Sequence, residues 1–371
     1  MKRSLLILAV DHDIHADAVH DLVQQQGYQS YRLDPEVPWT PSEEFDPDAE
    51  WAPFGSMAWS LSRDSHFSSL QWRDQNIDLT KVGAVFCRNF QFAKVHDDEP
   101  VEKHLKYAEM RAGLYGLFST LSHCFWMNDP ALEENLDNKM VQSVDALHAG
   151  LKIPKTLVTN DESRARKFIE SCDGRAIIKQ LSAIGLIDEN SGQAEALGFF
   201  TSSVTKEAME HLDEVKHAPC LFQEDILKKA DVRATVVGDR IFAHAIDSQS
   251  REASKTDFRR EIDLPISNFE FPDETGYKLI KLLKQWGIIF SACDFVLTPN
   301  NELIFLEANV AGNWLWLENG NCHPILDEVV RLLPCKLRRS LLTRNSLNVA
   351  DYQQRNNWIG PSYFRGGCGK K

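Results

Sequence analysis

The chain has 371 residues, a formal net charge of −13 at pH 7, 43% hydrophobic residues and 26% charged residues. This length allows two or three domains, and the acidic balance argues against non-specific nucleic-acid binding and against docking on an anionic membrane. Eight cysteines without a CxxC pair indicate free thiols in a reducing compartment, and no apolar run approaches about 20 residues, so we expect a cytoplasmic protein without a membrane span.

The N-terminal residues predict an open α/β domain. Residues 5–10 form an apolar run typical of a buried parallel strand, residues 11–26 predict a helix, and residues 28–33 predict a second strand. Another buried strand is predicted at 82–88, before a long helix at 102–122. The β-α-β opening is typical of an α/β fold.

A polar cluster follows the first predicted strand. It contains Asp11, His12, Asp13 and His15. A metal site is one interpretation, although the cluster lacks a recognised ligand spacing. A polar loop with a helix N-cap is the simpler interpretation.

Two lysines flank the next stretch of chain. Lys139 begins a predicted helix after the turn-forming residues 128–130, which we interpret as a domain boundary, and Lys179 ends an apolar strand. A polar segment at 182–198 follows Lys179 and predicts a loop or hairpin. Each lysine alone is usually a solvated side chain, but as a pair beside this loop they could hold phosphates.

The stretch CLFQEDI is apolar, then acidic, then apolar again. Gln223 and Glu224 are either a plain strand end or part of a linker that holds an adenine edge beside the backbone of Asp225 and Ile226. Asp231 begins the next strand, where its carboxylate could meet a ribose hydroxyl.

Two arginines lie further along the chain. Arg233 shares a strand face with Asp231 and Thr235, and it needs an anionic partner, either a protein carboxylate or a phosphate. Arg259, in the charged loop DFRR, could stabilise charge on a transferring phosphoryl group.

Residues 291–313 predict a hairpin that carries a metal site. A turn centred on Asn300 and Asn301 places Asp294 directly opposite Glu307, with Asn309 on the same face. Opposed carboxylates repel each other, and a divalent cation would offset that repulsion, because Mg²⁺ favours oxygen ligands. A shared proton, an arginine between the acids, or a slipped register are the alternatives.

Taken together, these residues resemble the ATP-grasp ligases, and within them the microviridin-type peptide ligases, or graspetide synthetases. The resemblance rests on the stretches VGAVFCRN, WMNDP with the following NK, GLKIPKTLVTN, KQLSA, QEDI, ADVRATVVGD, DFR and DFVLTPNNELIFLEANVAGNWLWLE. It covers nearly the whole chain except the C-terminal tail. One departure is the loop after Lys179, which has Gly185 but no glycine-rich run.

The resemblance implies an α/β fold class of the ATP-grasp type. It implies a pre-ATP-grasp domain at 1–128, a central lobe at 129–220, a C-terminal lobe with the metal site at 221–344, and a polar tail at 345–371. ATP and Mg²⁺ are the implied cofactors. The implied partner is a precursor peptide with a leader segment, and a homodimer is possible.

The resemblance also implies an activity. An Asp or Glu side chain of the peptide is activated as an acyl phosphate, and a Ser, Thr or Lys side chain of the same peptide then forms an ω-ester or ω-amide cross-link. The matching positions are the metal ligands Asp294, Glu307 and Asn309; the phosphate-binding Lys139 and Lys179; the nucleoside contacts Glu224, Asp225, Ile226 and Asp231; and the arginines near the transferring phosphate, Arg233 and Arg259.

Two other functions are compatible with the sequence. One is a ligase on the same fold that adds an amino acid such as glutamate to a protein or small-molecule carboxylate. The other is a non-catalytic nucleotide-binding module, against which the full set of carboxylates, lysines and arginines argues.

Overall fold

The computed structural model describes residues 4–10, 12–34, 55–72, 75–88, 100–136, 138–181, 186–187, 196–197, 200–261, 263–318 and 323–333. These residues fall into two compact units. One comprises the chain up to Pro130 with the helix that follows Pro324, and the other runs from Ala131 to His323. The four-part division of the sequence stays a prediction, and its polar tail lies outside the described residues.

The first unit contains two sheets. Its elements are β1 (Ser4–Leu8), α1 (Ile14–Gln25), β2 (Ser30–Leu33), β3 (Gly55–Leu61), β4 (His66–Trp72), β5 (Gln75–Asp78), β6 (Val82–Cys87), α2 (Pro100–Ser119) and β7 (Phe125–Met127). The larger sheet is parallel with the order β2-β1-β6-β7, and the smaller is antiparallel with the order β3-β4-β5. The predicted α/β opening is therefore confirmed, whereas the smaller sheet was not predicted.

Asp13 is the N-cap of α1. Its Oδ1 accepts hydrogen bonds from the backbone N–H groups of His15 and Ala16 at 2.8 and 2.9 Å, and its Oδ2 accepts one from Arg88 Nε at 3.0 Å. Burial opposes ionisation, but the charge of Arg88, the interaction with His15 and the N–H of Ala16 together hold the pKa of Asp13 well below its ordinary value. The N-cap interpretation of the polar cluster is confirmed for Asp13, while Asp11 lies outside the described residues.

The second unit contains the remaining strands. Its elements are α3 (Pro130–Leu136), α4 (Lys139–His148), β8 (Thr156–Thr159), α5 (Glu162–Ser171), β9 (Ala176–Lys179), β10 (Leu186–Ile187), β11 (Ala196–Leu197), β12 (Ser202–Ser203), α6 (Lys206–Glu210), β13 (Cys220–Glu224), β14 (Ala230–Val237), β15 (Arg240–Ile246), β16 (Ile266–Asn268), α7 (Asp273–Gln285), β17 (Phe290–Leu297), β18 (Leu303–Asn309) and α8 (Leu315–Glu318). Helix α9 (Ile325–Leu332) returns to the first unit.

Two antiparallel sheets frame this unit. The four-stranded sheet has the order β12-β9-β13-β8, and β10 pairs with β11 as a short hairpin in the predicted loop-or-hairpin segment. The five-stranded sheet has the order β16-β15-β14-β17-β18. One of its faces carries the main core, where Val232, Phe295 and Phe305 pack with Leu279 and Leu282 of α7. The opposite face is left for polar side chains, because side chains alternate along a strand.

A bulge in the β17–β18 hairpin decides which face Glu307 occupies. Near the turn, Phe295 pairs with Phe305, but the register shifts and Asp294 pairs with Glu307, which leaves Leu306 unpaired. Without this extra residue, Glu307 would share the core face with Phe305. The predicted pairing of Asp294 with Glu307 is confirmed. The predicted turn centre is wrong by half a residue, because the pairs near the turn are centred on Asn300. The extra residue at the bulge shifts the register back to the predicted one.

The described cysteines agree with the expectation of free thiols: Cys87, Cys124, Cys172, Cys220 and Cys293 form no disulfide. Within the described residues, no helix is both long and apolar enough to cross a membrane.

Candidate functional site

A row of polar side chains crosses the five-stranded sheet. Glu307 lies opposite Asp294, Asp294 lies opposite Arg233, and Arg233 lies opposite His244. Directly opposed residues of antiparallel strands project from the same face. The fold therefore places acids and bases side by side on four neighbouring strands.

Asp294 is paired with an arginine and an amide. Arg233 Nη1 donates to Asp294 Oδ1 and Oδ2 at 3.0 and 2.9 Å, and Asn309 Nδ2 donates to Oδ2 at 3.0 Å. Burial raises the pKa of Asp294 to about 6, with Arg233 opposing the rise and Glu307 adding to it. The protein carboxylate that Arg233 was expected to need is thus Asp294, and an arginine does stand beside the acid pair.

Glu307 lies among positive charges. Lys139 Nζ is 3.7 Å from its Oε2. Burial alone would raise the pKa of Glu307, but Lys139, Lys179 and Arg259 together hold it below its ordinary value. Glu307 is therefore ionised near neutral pH, and it faces the side chains that were predicted to hold phosphates.

Gln142 joins the first turn of α4, which carries Lys139, to strand β18. Its Nε2 donates to the carbonyl of Ala308 at 3.0 Å, and its Oε1 accepts from the N–H of Ala308 at 2.8 Å. The side chain thereby mimics a strand backbone at the exposed edge of β18. Lys139 is one turn away at the start of α4, which Asn138 caps through bonds to the N–H groups of Met140 and Val141.

Lys179 ends β9, as predicted, and its ammonium group lies in the same electrostatic environment. Burial lowers its pKa, Glu307 raises it, and Lys139 lowers it further. Two lysines and one glutamate are therefore close enough to influence one another, although they come from α4, β9 and β18.

The donor set suits a hard cation such as Mg²⁺. Asp294 and Glu307 offer carboxylate oxygens and Asn309 offers an amide oxygen, which are the ligand types that Mg²⁺ takes in small numbers. Asn309 Nδ2 also approaches Glu307 Oε1 at 3.4 Å, so a bound cation requires the amide to turn its oxygen inward. Among the described residues no group of three His, Cys, Asp or Glu forms a metal site.

The predicted linker to the nucleoside lies after β13. The Glu224 N–H donates to the Lys155 carbonyl at 2.9 Å, and the Asp225 N–H donates to the Arg175 carbonyl at 3.1 Å. Glu224, Asp225 and Ile226 are half-buried. Nearby, Gln223 is buried and its Oε1 has no partner among the described residues, so this oxygen could accept a hydrogen bond from a ligand.

Asp231 is engaged by a lysine that the sequence analysis did not single out. Lys228 Nζ donates to both oxygens of Asp231 at 3.1 and 3.0 Å and to the carbonyl of Thr256 at 3.1 Å. Burial raises the pKa of Asp231, and Lys228 opposes the rise. A ribose hydroxyl at Asp231 would share this carboxylate with Lys228.

Gly312 leaves room for the guanidinium of Arg233. A Cβ at this position would come within 2.4 Å of the Cβ of Ala292 and 3.0 Å of Arg233 Nη2. The stretch after β18 therefore needs glycine in order to lie this close to the polar row.

The structure brings most of the predicted site residues together and adds others. The charges of Lys139, Lys179, Arg259, Glu307 and Asp294 act on one another. Gln142 and Lys228 were missed. A glutamine four residues before the buried Ala146 on the core side of a helix was the available signal for Gln142. Lys228 lies outside the helices and strands, just before β14, so no spacing rule pointed to its contact with Asp231.

No family model and no curated protein matches the chain. Solved structures do. The macrocyclase MdnC bound with precursor peptide MdnA, from Microcystis aeruginosa MRC, is 25% identical with a TM-score of 0.74, and the likeness covers 89% of this chain and 99% of that one. The Chryseobacterium gregarium RiPP-associated ATP-grasp ligase in complex with ADP and a leader and core peptide is 24% identical, with a TM-score of 0.78 and coverage of 91% and 98%.

A third solved structure is the ATP-grasp ligase PsnB complexed with minimal precursor, Mg and ADP. It is 20% identical with a TM-score of 0.65, and the likeness covers 89% of this chain and 96% of that one. Each likeness spans nearly the full length of both chains. At 20% and 24% identity, the second and third likenesses are evidence of shared fold alone.

Proposed function

On the ATP-grasp fold that these likenesses show, we propose that the protein is an ATP-dependent peptide macrocyclase. It activates Asp or Glu side chains of a precursor peptide as acyl phosphates and joins them to Ser, Thr or Lys side chains of the same peptide as ω-esters or ω-amides. The predicted fold class and the resemblance to peptide-modifying ATP-grasp ligases are confirmed.

One observation carries the proposal. The opposed carboxylates Asp294 and Glu307 lie on one sheet face, with Lys139 3.7 Å from Glu307 and Arg233 2.9 Å from Asp294. Phosphoryl transfer needs positioning and charge neutralisation more than a protein nucleophile. Paired acids for a cation, surrounded by cations for phosphate, provide both functions.

Each group of site residues has a proposed role that follows from its chemistry. Asp294, Glu307 and Asn309 would hold Mg²⁺, which supplies charge neutralisation at the nucleotide phosphates. Lys139 and Lys179 hold phosphate oxygens as point charges. Glu224, Asp225 and Ile226 contact the base, and Asp231 contacts the ribose. Arg233 and Arg259 stabilise the charge that develops on the transferring phosphoryl group.

Two steps balance the reaction. An oxygen of the peptide carboxylate attacks the γ-phosphorus of ATP, and the bond to the bridging oxygen breaks, which yields an acyl phosphate and ADP. The hydroxyl or amine of the same peptide then attacks the acyl carbon, loses a proton and expels phosphate. The peptide loses one water for each cross-link.

The test is to incubate the protein with ATP, Mg²⁺ and each short peptide encoded beside its gene, and to measure peptide mass and ADP together. Loss of water from the peptide, coupled to ADP release and abolished in Asp294→Ala, is the expected result. A peptide that gains the mass of an amino acid would favour the alternative ligase. ADP release on free amino acids with intact peptide would overturn the proposal.

Three narrower expectations accompany the proposal. The peptide carries a leader segment that binds the protein, which a binding measurement with a leader-only peptide would check. A homodimer would show in light scattering. A cytoplasmic location would show in cell fractionation.

A further inference from the structure

Asp257 holds Arg259 through a two-pronged contact. The Oδ1 of Asp257 accepts from Arg259 Nε at 2.8 Å, and its Oδ2 accepts from Arg259 Nη2 at 2.6 Å. Oδ1 also accepts from the backbone N–H of Arg259 at 3.1 Å. Paired parallel hydrogen bonds of this kind fix the plane of a guanidinium as well as its place.

The two partners differ in exposure. The side chain of Asp257 is 4% exposed, whereas that of Arg259 is 50% exposed. Burial opposes the charge on Asp257, but Arg259 outweighs it and lowers the pKa of the carboxyl group. The acid is therefore the buried member of the pair, and the arginine is the member that is open to solvent or to a ligand.

One edge of the Arg259 guanidinium is left open by the contact with Asp257. The contact with Asp257 uses the Nε side of the guanidinium, and Nη1 has no partner among the described residues. Both Glu307 and Asp294 act on the charge of Arg259 and raise its pKa. The guanidinium that Asp257 holds therefore interacts electrostatically with both acids of the opposed pair.

Residues 200 and 201 make further contacts with this pair. Oδ2 of Asp257 accepts from the N–H of Thr201 at 3.1 Å. Arg259 and its neighbour Arg260 lie over the ring of Phe200, at 5.9 and 5.1 Å from its centroid. The stretch 200–201 and the loop 257–260 therefore form one packed assembly that restricts the rotation of Arg259.

We propose that Asp257 is the positioning residue for Arg259: it turns the open edge of the guanidinium towards the phosphoryl group that ATP transfers. This inference rests on the proposed function, and it adds a residue to which no role was assigned from the sequence. Asp257 acts through Arg259 and does not touch the substrate.

The experiment is a double-mutant cycle of Asp257→Asn and Arg259→Lys, with two readouts. Calorimetry gives the affinities for MgATP and for MgADP, and the peptide assay gives kcat and KM. Because a charge-assisted contact is lost, each single variant should bind MgATP about tenfold more weakly and keep its MgADP affinity. The double variant should bind MgATP no more weakly than Arg259→Lys, because both changes disrupt the same Asp257–Arg259 pair.

Two further variants separate positioning from folding. Asp257→Glu keeps the carboxylate and should recover part of kcat. Glu261→Gln removes the ion pair that Arg251 makes with Glu261 at 3.0 Å in the same segment, and it should behave as wild type. Melting temperatures show whether each variant is folded.

The outcomes test the macrocyclase activity and the positioning role of Asp257 separately. If wild type cross-links no peptide, the macrocyclase proposal fails, but the calorimetric cycle still tests Asp257. Additive losses in the double variant, or equal weakening of MgATP and MgADP, would overturn the positioning role. A loss of stability in Asp257→Asn without loss of MgATP affinity would also overturn it.

Discussion

Arg233 and Asp294 lie directly opposite each other on neighbouring strands, and Nη1 of the arginine is 3.0 and 2.9 Å from the two carboxylate oxygens. Lys139, at the start of helix α4, is the nearest cation to Glu307, with its Nζ 3.7 Å from Oε2. Each acid of the opposed pair therefore has its own cation. The side chains of the two acids are only 13% and 24% exposed, and this arrangement makes them tolerable without metal, since an unpaired charge away from water is strongly destabilising.

Replacing Arg233 with Met should reveal this dependence. Asp294 would be left buried beside Glu307, and the free energy of unfolding should fall by about 3 kcal/mol in the absence of Mg²⁺. Adding Mg²⁺ should then raise the melting temperature of Arg233→Met more than that of wild type, because a cation that binds only the folded state takes over the neutralisation. Thermal unfolding with and without Mg²⁺ measures both effects.

The matched control is the double variant Arg233→Met with Asp294→Asn. It removes both charges, so it should be more stable than Arg233→Met alone and should lose the stabilisation by Mg²⁺. If Mg²⁺ stabilises the double variant as strongly as Arg233→Met, the cation does not bind at Asp294.

The hairpin illustrates what the sequence could predict. Two apolar runs around a turn were enough to identify β17 and β18, and the opposition of Asp294 and Glu307 was correct. The predicted position of the turn was wrong by half a residue. In the structure the strand pairs near the turn are centred on Asn300, and Asn301 adopts a positive φ of 59°. A bulge at Leu306 restores the predicted pair. Bulges depend on packing against both strand faces, which a local pattern does not encode.

Contacts between residues that are far apart in the chain could not be predicted from the sequence. Arg233 was known to need an anion, but the choice of Asp294 follows from the sheet order, in which β14 lies beside β17. Gln142 acts on Ala308, 166 positions away. Spacing rules apply within one helix or strand, so contacts of this kind require the fold.

Gln142→Leu should disturb the placement of Lys139. The N–H and carbonyl of Ala308 would lose their partners, and the free energy of unfolding should fall by about 2 kcal/mol, because buried polar groups without hydrogen bonds are costly. Lys139 would then lie less firmly over Glu307, so KM for MgATP should rise. Unfolding by urea and steady-state kinetics measure the two effects.

Ser143→Ala provides a control on the same helix. Its hydroxyl donates to the Lys139 carbonyl at 2.8 Å, so this hydrogen bond stays within α4. This variant should keep wild-type KM. A KM in Gln142→Leu equal to that of Ser143→Ala would show that the contact with Ala308 does not position the lysine.

Lys228→Met tests the buried pair with Asp231. The carboxylate would lose the ammonium group that contacts both its oxygens, and the loop at Thr256 would lose a hydrogen bond. We expect the free energy of unfolding to fall by about 3 kcal/mol and to recover in part in the double variant with Asp231→Asn. Urea unfolding is the measurement.

The neighbouring Lys229 is the control for that variant. It is exposed and donates to Asn301 Oδ1 at 3.2 Å. An exposed contact of this kind contributes little, so Lys229→Met should be within about 0.5 kcal/mol of wild type. Equal losses in the two variants would show that burial of the Lys228 pair has no energetic consequence.

His244 should make the folded protein sensitive to acid. It is fully buried, and neither ring nitrogen has a partner among the described residues; the ring of His323 lies 4.6 Å away, centroid to centroid. Burial, with a smaller contribution from the neighbouring His323, lowers the pKa of His244 from 6.5 to about 4. The unfolded chain thus takes up a proton below pH 6.5 that the folded protein does not bind until about pH 4.

The sign of the effect follows from this difference. The free energy of unfolding is unaffected by His244 above pH 6.5 and falls by up to about 3 kcal/mol as the pH drops to 4. His244→Leu should remove this part of the pH dependence. At neutral pH it should be as stable as wild type or more so, because it removes two buried nitrogens that lack hydrogen bonds.

Urea unfolding at several pH values between 7 and 4 gives the comparison, and the exposed His148→Gln controls for the loss of one imidazole. Parallel curves for wild type and His244→Leu would mean that His244 takes up its proton equally in the folded and unfolded states.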